Sequence, residues 1–215
     1  MSANLKWNLY VITDEKLSKG RSHLEIAREA IAGGADVIQL RDKEASSRKL
    51  FEVGCQLRNL TRKTATIYIV NDRLDIALAT DADGLHVGQD DLPAEVARRL
   101  LGEDKILGVS ARSVEEAIEA QQAGADYLGL GPVFEARGSK ADAGEPLGLT
   151  LIRETRKHCS LPIVAIGGIH AGNVGEVIRA GADAVAVISA VVSAEDIRQA
   201  ARQLKEQITL GKESF

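Results

Sequence analysis

The residues of this chain with the most chemical content are carboxylates and amides placed at the ends of short apolar runs. Ile67 to Val70 leads into Asn71-Asp72-Arg73, and Leu85 to Val87 leads into Gly88-Gln89-Asp90-Asp91. If the two runs are neighbouring parallel strands, Asp72 and Asp91 share one rim of a sheet. Two such carboxylates suit Mg²⁺, which binds through one or two carboxylates together with waters and substrate phosphate oxygens. A third run ends in Gln39-Leu40-Arg41-Asp42-Lys43. Strand alternation puts Gln39, Arg41 and Lys43 on one side. An amide and two cations projecting into one mouth are the groups a polyanionic ligand needs. Each feature also has a structural account. Asp72 and Asp91 precede predicted helices and could cap them, while Arg41 and Lys43 could pair with Asp42 or Glu44.

Further along, Ser110 has no GxSxG elbow and no evident histidine base, so it reads as a hydrogen-bonding group rather than a nucleophile. The polar segment from Glu135 to Pro146 is long for a connection and carries Lys140, which could bring a positive charge over a site. Ile166-Gly167-Gly168-Ile169 and Val187-Ile188-Ser189-Ala190 offer backbone N–H groups that an anion can approach closely. The alternative for the glycine pair is a tight turn. His86 lies within an apolar run and reads as a packed core histidine. His23, His158 and His170 show no partner pattern and receive no role.

The elements that must position these residues are announced by a repeat. Ala32-Gly33-Gly34-Ala35-Asp36-Val37-Ile38 is echoed by Ala123-Gly124-Ala125-Asp126-Tyr127-Leu128 and by Ala180-Gly181-Ala182-Asp183-Ala184-Val185, with a weaker copy at Ala82-Asp83-Gly84-Leu85. The unit is a helix ending at a glycine followed at once by a buried strand. Strands apolar on both faces belong to parallel sheets covered by helices. Counting the units predicts eight strands, near 8–13, 36–41, 66–71, 83–87, 106–109, 126–131, 162–167 and 183–188. A helical pattern follows each, and Ser113 with Glu116 reads as a capping box. Eight strand–helix units imply an α/β fold, a single (β/α)8 TIM barrel spanning 1–215, with a short polar tail near 208–215. The alternative is a doubly wound open sheet, but the GxGxxG fingerprint of its dinucleotide-binding form is absent. In the barrel, strand ends carry the chemistry, and phosphate sites recur after strands seven and eight.

Composition narrows the function classes. A net charge of −4 without a basic cluster argues against nucleic acid as a partner, and 3% aromatic residues leave too few rings for a base-stacking surface. No run approaches the ~20 apolar residues of a membrane span, and Met1 to Asp14 does not resemble a signal peptide. Cys55 and Cys159 have no CxxC spacing and read as buried, reduced thiols of a cytoplasmic protein. Small-molecule substrates are expected, and a homo-oligomer is compatible with this composition.

Taken together, the runs Tyr10 to Asp14, Gln39 to Lys43, Val70 to Arg73, His86 to Asp91, Gly108 to Ala111, Gly129 to Phe134, Ile166 to Ile169 and Ile188 to Ala190 resemble the thiamine phosphate synthase family over nearly the whole chain. The resemblance implies a transferase that joins 4-amino-5-hydroxymethyl-2-methylpyrimidine diphosphate to a thiazole phosphate, carboxylated or not, with dissociative loss of pyrophosphate. It implies that Gln39, Arg41, Lys43 and Asn71 hold the diphosphate and that Asp72 and Asp91 hold Mg²⁺. It further implies that Ser110 meets the pyrimidine side and that Gly168, Ile188 and Ser189 cradle the thiazole phosphate. Arg41, Lys43, Ser110 and Lys140 are then the expected catalytic groups. One motif departs from the family. Where members carry Thr-x-Thr-Lys, this chain reads Glu135-Ala136-Arg137-Gly138-Ser139-Lys140, so that Ser139 and Lys140 align with the second Thr and the Lys. The related thiazole tautomerase branch relies on a histidine where this chain has Arg112. That branch, and a non-catalytic barrel that binds thiamine precursors, are the alternative readings.

Overall fold

A computed structural model describes residues 6–135 and 144–213. Its first half runs β1 (Leu9–Thr13), α1 (His23–Ala32), β2 (Val37–Leu40), α2 (Ser47–Thr61), β3 (Ile67–Asn71), α3 (Leu74–Ala79), β4 (Gly84–Val87) and α4 (Ala94–Leu101). The second half runs β5 (Ile106–Ala111), α5 (Val114–Gln122), β6 (Tyr127–Leu130), α6 (Gly148–His158), β7 (Ile163–Ile166), α7 (Val174–Arg179) and β8 (Ala184–Val187), then α8 (Ser189–Val192) and α9 (Ile197–Glu213). The strands pair in sequence order, all parallel, and β8 returns to β1 to close the barrel. The (β/α)8 expectation is therefore met, and the open sheet is excluded because it would leave two unpaired edges. Every residue of β1, β2 and β8 is buried, as expected for strands between a filled interior and an outer ring of helices.

The repeated aspartate explains the repeat. Asp36 Oδ2 accepts from Asn8 N and Leu9 N (2.9 and 3.0 Å). Asp83 Oδ2 accepts from Tyr68 N (2.8 Å), Asp126 Oδ2 from Leu107 N (2.8 Å) and Asp183 Oδ2 from Ile163 N (2.7 Å). Each carboxylate sits just before an even strand and ties it to the preceding odd strand. Each also meets a cation from a covering helix: Lys205 at 2.7 Å, Arg58 at 2.9 Å, Arg98 at 2.5 Å, and Arg156. A parallel strand pair leaves slanted, unshared N–H groups at its start. The aspartate satisfies one of them, and the helical cation neutralises the aspartate.

Interior packing explains one glycine as well. The Tyr127 ring lies across β5, and a Cβ on Gly108 would stand 2.1 Å from its Cζ. Tyr127 in turn packs edge-on against Trp7 (centroids 5.2 Å apart, 76° between planes), plugging the barrel beneath the mouth.

Three local expectations need correction. The polar tail near 208–215 is helical through Glu213. α9 buries Leu204, Ile208 and Gly211 against the body, and Lys212 Nζ reaches Asn8 Oδ1 at 2.6 Å. Its apolar positions recur at helical spacing inside a polar composition, so average polarity misleads. At α5, Ser113 Oγ accepts from Glu116 N (3.1 Å), but the Glu116 carboxylate goes to Arg112 N (2.7 Å) and leaves the box open. The closed box belongs to α1, between Ser22 and Glu25. Of the two free cysteines, Cys159 is buried and Cys55 only half-buried.

Asp126→Ala removes a charge-assisted bond to Leu107 N and, among the described residues, the only anion paired with Arg98, whose side chain is 11% exposed and keeps only neutral carbonyl partners. We expect a loss of about 2–3 kcal/mol, read as a fall in Tm of roughly 4–12 °C. An unchanged Tm would contradict the role given to this carboxylate.

Candidate active site at the mouth of the barrel

Every sequence-predicted site residue among those described lines one cavity of about 910 Å³ at the C-terminal ends of the strands. These are Gln39, Arg41, Lys43, Asn71, Asp72, Asp91, Ser110, Gly168, Ile188 and Ser189. Ser139 and Lys140 lie outside the described residues. Inward positions alternate by two along several strands, for example Tyr10 and Ile12, Gln39 and Arg41, and Val164 and Ile166, which is the strand period.

One wall is charged. Arg41 Nη1 lies 3.7 Å from Asp14 Oδ2, and Lys43 Nζ lies 3.8 Å from Asp72 Oδ2. The neighbouring acids Asp42 and Glu44 are engaged elsewhere. Glu44 pairs with Lys16, and Asp42 receives Glu44 N and Ala45 N at 3.0 Å each. Both cations line the cavity, Lys43 against the cavity carboxylate Asp72 and Arg41 against Asp14 behind it. Helix capping does not account for Asp72 or Asp91 either. α3 has Arg73 at its N-cap and α4 has Pro93, neither making a side-chain cap. Asp91 Oδ2 instead accepts from Gly88 N at 2.8 Å.

Asp72 is held in an unusual way. Its φ is 61°, the left-handed region that a side chain seldom adopts. Asp72 N donates to His86 O (2.8 Å) and Arg73 N to Asn71 O (2.7 Å), which pin the turn. Burial and the adjoining Asp91 carboxylate push the Asp72 carboxyl up to about 6, against the pull of Lys43 and Arg41. Strained backbone and crowded like charges recur at functional sites. Two acids so placed are matched to a cation.

The floor of the cavity is a hydrogen-bonded chain that the sequence did not announce. Gln39, 2% exposed, donates through Nε2 to Tyr10 OH (2.7 Å). Tyr10 OH meets Tyr127 OH (2.9 Å), Tyr127 OH meets His86 Nδ1 (3.0 Å), and His86 Nε2 meets Ser110 Oγ (2.9 Å). His86 does face the interior, but it lines the cavity and is not sealed in the core. Ser110 thus has a histidine neighbour after all. A charge-stabilised triad would need an anion at Nδ1. Tyr127 supplies a phenol there, and burial raises its ionisation well above the usual value. The pair orients a hydroxyl rather than activating a nucleophile.

The opposite wall is neutral backbone. Gly168 has φ 62°, and a Cβ there would stand 2.6 Å from Glu135 O. Asn173 Nδ2 holds Gly168 O at 2.9 Å. The glycine is thus required by the close approach of the segment after β6, as in the tight-turn account, and it also leaves the surface open to the cavity. Ser189 opens the short helix α8 directly after β8. Arg112 lines the mouth beside Gly144.

In metal-free protein, Asp91→Asn should lower the Asp72 titration towards the ordinary carboxylate range, as read by carboxyl ¹³C shifts. A carboxyl raised in the folded state favours folding below its unfolded value. That contribution fades as pH rises to about 6. The variant should therefore gain on the order of 1 kcal/mol at neutral pH. Unchanged Asp72 titration would contradict the like-charge contact.

The chain is similar to known proteins over nearly its whole length. Residues 9–191 match the family model described as thiamine monophosphate synthase. The thiamine-phosphate synthase of Chloroflexus aurantiacus is 55% identical over 96% of this chain and 95% of its own length. That of Moorella thermoacetica is 57% identical over 95% and 97%. Among solved structures, the thiamine phosphate pyrophosphorylase of Pyrococcus furiosus superposes with a TM-score of 0.88 at 45% identity, covering 96% of this chain and 97% of that one.

Proposed function

The chain belongs to the thiamine monophosphate synthase family, and on that premise we propose how its cavity divides the work of the reaction. The activity is a transfer between small molecules: the pyrimidine diphosphate is joined to the thiazole phosphate, pyrophosphate leaves and thiamine phosphate forms. The observation that carries the division of labour is that the cationic wall and the glycine–serine wall face each other across one cavity. Two anionic substrates then meet with their phosphates held apart and the pyrimidine methylene carbon beside the thiazole nitrogen. At about 910 Å³ the cavity is within the range of small-ligand sites.

Arg41, Lys43 and Asn71 hold the diphosphate and stabilise the charge that grows on it as the C–O bond breaks. Gln39, fixed by Tyr10, presents its amide from the floor. Asp72 and Asp91 fit Mg²⁺, because two crowded carboxylates beside the diphosphate wall have one charge more than Lys43 neutralises. When bound, the ion adds Lewis-acid stabilisation of the leaving diphosphate. Ser110, oriented by His86, donates to or accepts from the pyrimidine ring. The aminopyrimidine ring spreads the positive charge left on the methylene carbon, so the walls need only exclude water until the thiazole nitrogen attacks. Gly168 N, Ile188 and Ser189 cradle the thiazole phosphate. Lys140 and Ser139 are assigned the remaining phosphate contacts. No protein nucleophile is required. The residue after β5 in this cavity is Arg112, not the histidine that tautomerase chemistry uses.

Coupling of the two substrates, scored by thiamine phosphate and pyrophosphate, should require Mg²⁺ and stop with EDTA. Asp72→Ala should lower turnover at least about 100-fold, beyond what loss of an outer-shell partner costs, while near-UV circular dichroism stays unchanged. A wild-type rate in that variant would remove the metal assignment. Mg²⁺ affinity should also weaken as pH falls through about 6, where Asp72 takes up a proton.

A further inference from the structure

A second cluster lies behind the charged wall and belongs to none of the roles above. Glu15, His23 and Asp42 bring one imidazole nitrogen and two carboxylate oxygens within 4.8 Å of one another. His23 is 2% exposed, and its Nε2 has no hydrogen-bond partner. That atom faces Asp42 Oδ2 at 3.6 Å and Glu15 Oε1 at 3.9 Å.

The protonation of the ring follows from its other side. Thr13 Oγ1 donates to Gln39 O (3.1 Å), and a hydroxyl has one proton to give. The 2.7 Å contact between Thr13 Oγ1 and His23 Nδ1 must therefore be a bond donated by Nδ1–H. In the neutral ring Nε2 then bears a lone pair directed at two carboxylates. Such an arrangement needs a cation. A proton on Nε2 would pair electrostatically with both carboxylates but would make no hydrogen bond at 3.6 and 3.9 Å. A metal ion serves better. Tetrahedral ligands about 2.0–2.1 Å from zinc stand about 3.3–3.5 Å apart, close to the spacing seen. The carboxylates are prepared in the same sense. Asp42 Oδ1 is saturated by Glu44 N and Ala45 N, leaving Oδ2 for a ligand. Glu15 Oε1 is positioned by His23 N at 3.0 Å. The Nδ1–H to Thr13 bond is the outer-shell contact that orients a metal-bound histidine.

We propose that Glu15, His23 and Asp42 form a binding site for a zinc-class divalent ion, distinct from the Asp72–Asp91 pair. An imidazole donor selects zinc, cobalt or nickel over Mg²⁺, which takes oxygen ligands. The fourth position falls to water on the side of Glu15, whose side chain is 38% exposed. The ion ties the β1–α1 loop to the start of α1 and to the β2–α2 loop. Asp42 lies between Arg41 and Lys43, so the ion braces the arm that carries both cations.

The test uses the full chain freed of metal with EDTA and titrated with Co²⁺ alone, followed by visible absorption. The wild type should take up one Co²⁺ with the d–d bands of a tetrahedral site, displaced by Zn²⁺ and untouched by excess Mg²⁺. Asp72→Ala should keep those bands. His23→Gln and Glu15→Gln should lose them, with affinity down at least about 100-fold. Glu15→Gln keeps the proposal testable if a change at buried His23 prevents folding. Absence of the bands in the wild type, or equal affinity in Glu15→Gln, would overturn the site and leave the cluster as an ion pair.

Discussion

The interaction on which the rest of this structure depends is the carboxylate clip at the bottom of the barrel. Asp36, Asp83, Asp126 and Asp183 each bind a backbone N–H of the preceding odd strand. A slip of one residue in a strand would turn every side chain to the other face, so pinning the first residue decides the orientation of the last. Three residues beyond the clips stand Gln39, His86, Gly129 and Ala186, and five beyond stand Arg41, Gly88, Gly131 and Ile188. All eight line the cavity. A bond at one end of the barrel thereby selects the residues that face the ligand at the other.

The mouth built on that frame is electrostatically divided. Its β2–β4 side collects Arg41, Lys43, Asp72 and Asp91, and its β7–β8 side presents glycine, a serine hydroxyl and backbone. Crowding two carboxylates and holding Asp72 at positive φ costs folding free energy. The clips and the closed sheet hold the strained turn in place, since its N–H groups bond to the rigid ends of β3 and β4. The division matches a reaction in which one anion departs and another only has to be held.

Between the walls, the chain from Gln39 through Tyr10, Tyr127 and His86 to Ser110 gives the floor a fixed set of donors and acceptors. It spans β2, β1, β6, β4 and β5, and no two neighbours in it are closer than 24 positions in sequence. Gly108 and Gly129 make room for it, one under the Tyr127 ring and the other beside His86. The polar floor is thus a product of barrel closure, supported by residues that have no side chain.

Much of this was legible in the residues themselves. The Ala-Gly-Ala-Asp repeat, read with the two-residue period of strands, specified eight strands, their order and the rim positions of Asp72, Asp91, Arg41 and Lys43, because backbone conformation and facing are encoded over a few residues. The helical end of α9 is masked by composition, since Leu204 and Ile208 are diluted by charge, though their spacing carries the signal. What only the tertiary structure decided is which distant groups touch. His86 lies in an apolar run and Ser110 has no histidine near it in the chain, yet the two bond across β4 and β5. His23 shows no partner pattern in the sequence, yet it faces Glu15 and Asp42. Lys43 pairs with Asp72 and passes over the acids beside it in the chain. Local sequence determines which way a side chain points. Closing eight strands into a ring determines what it points at.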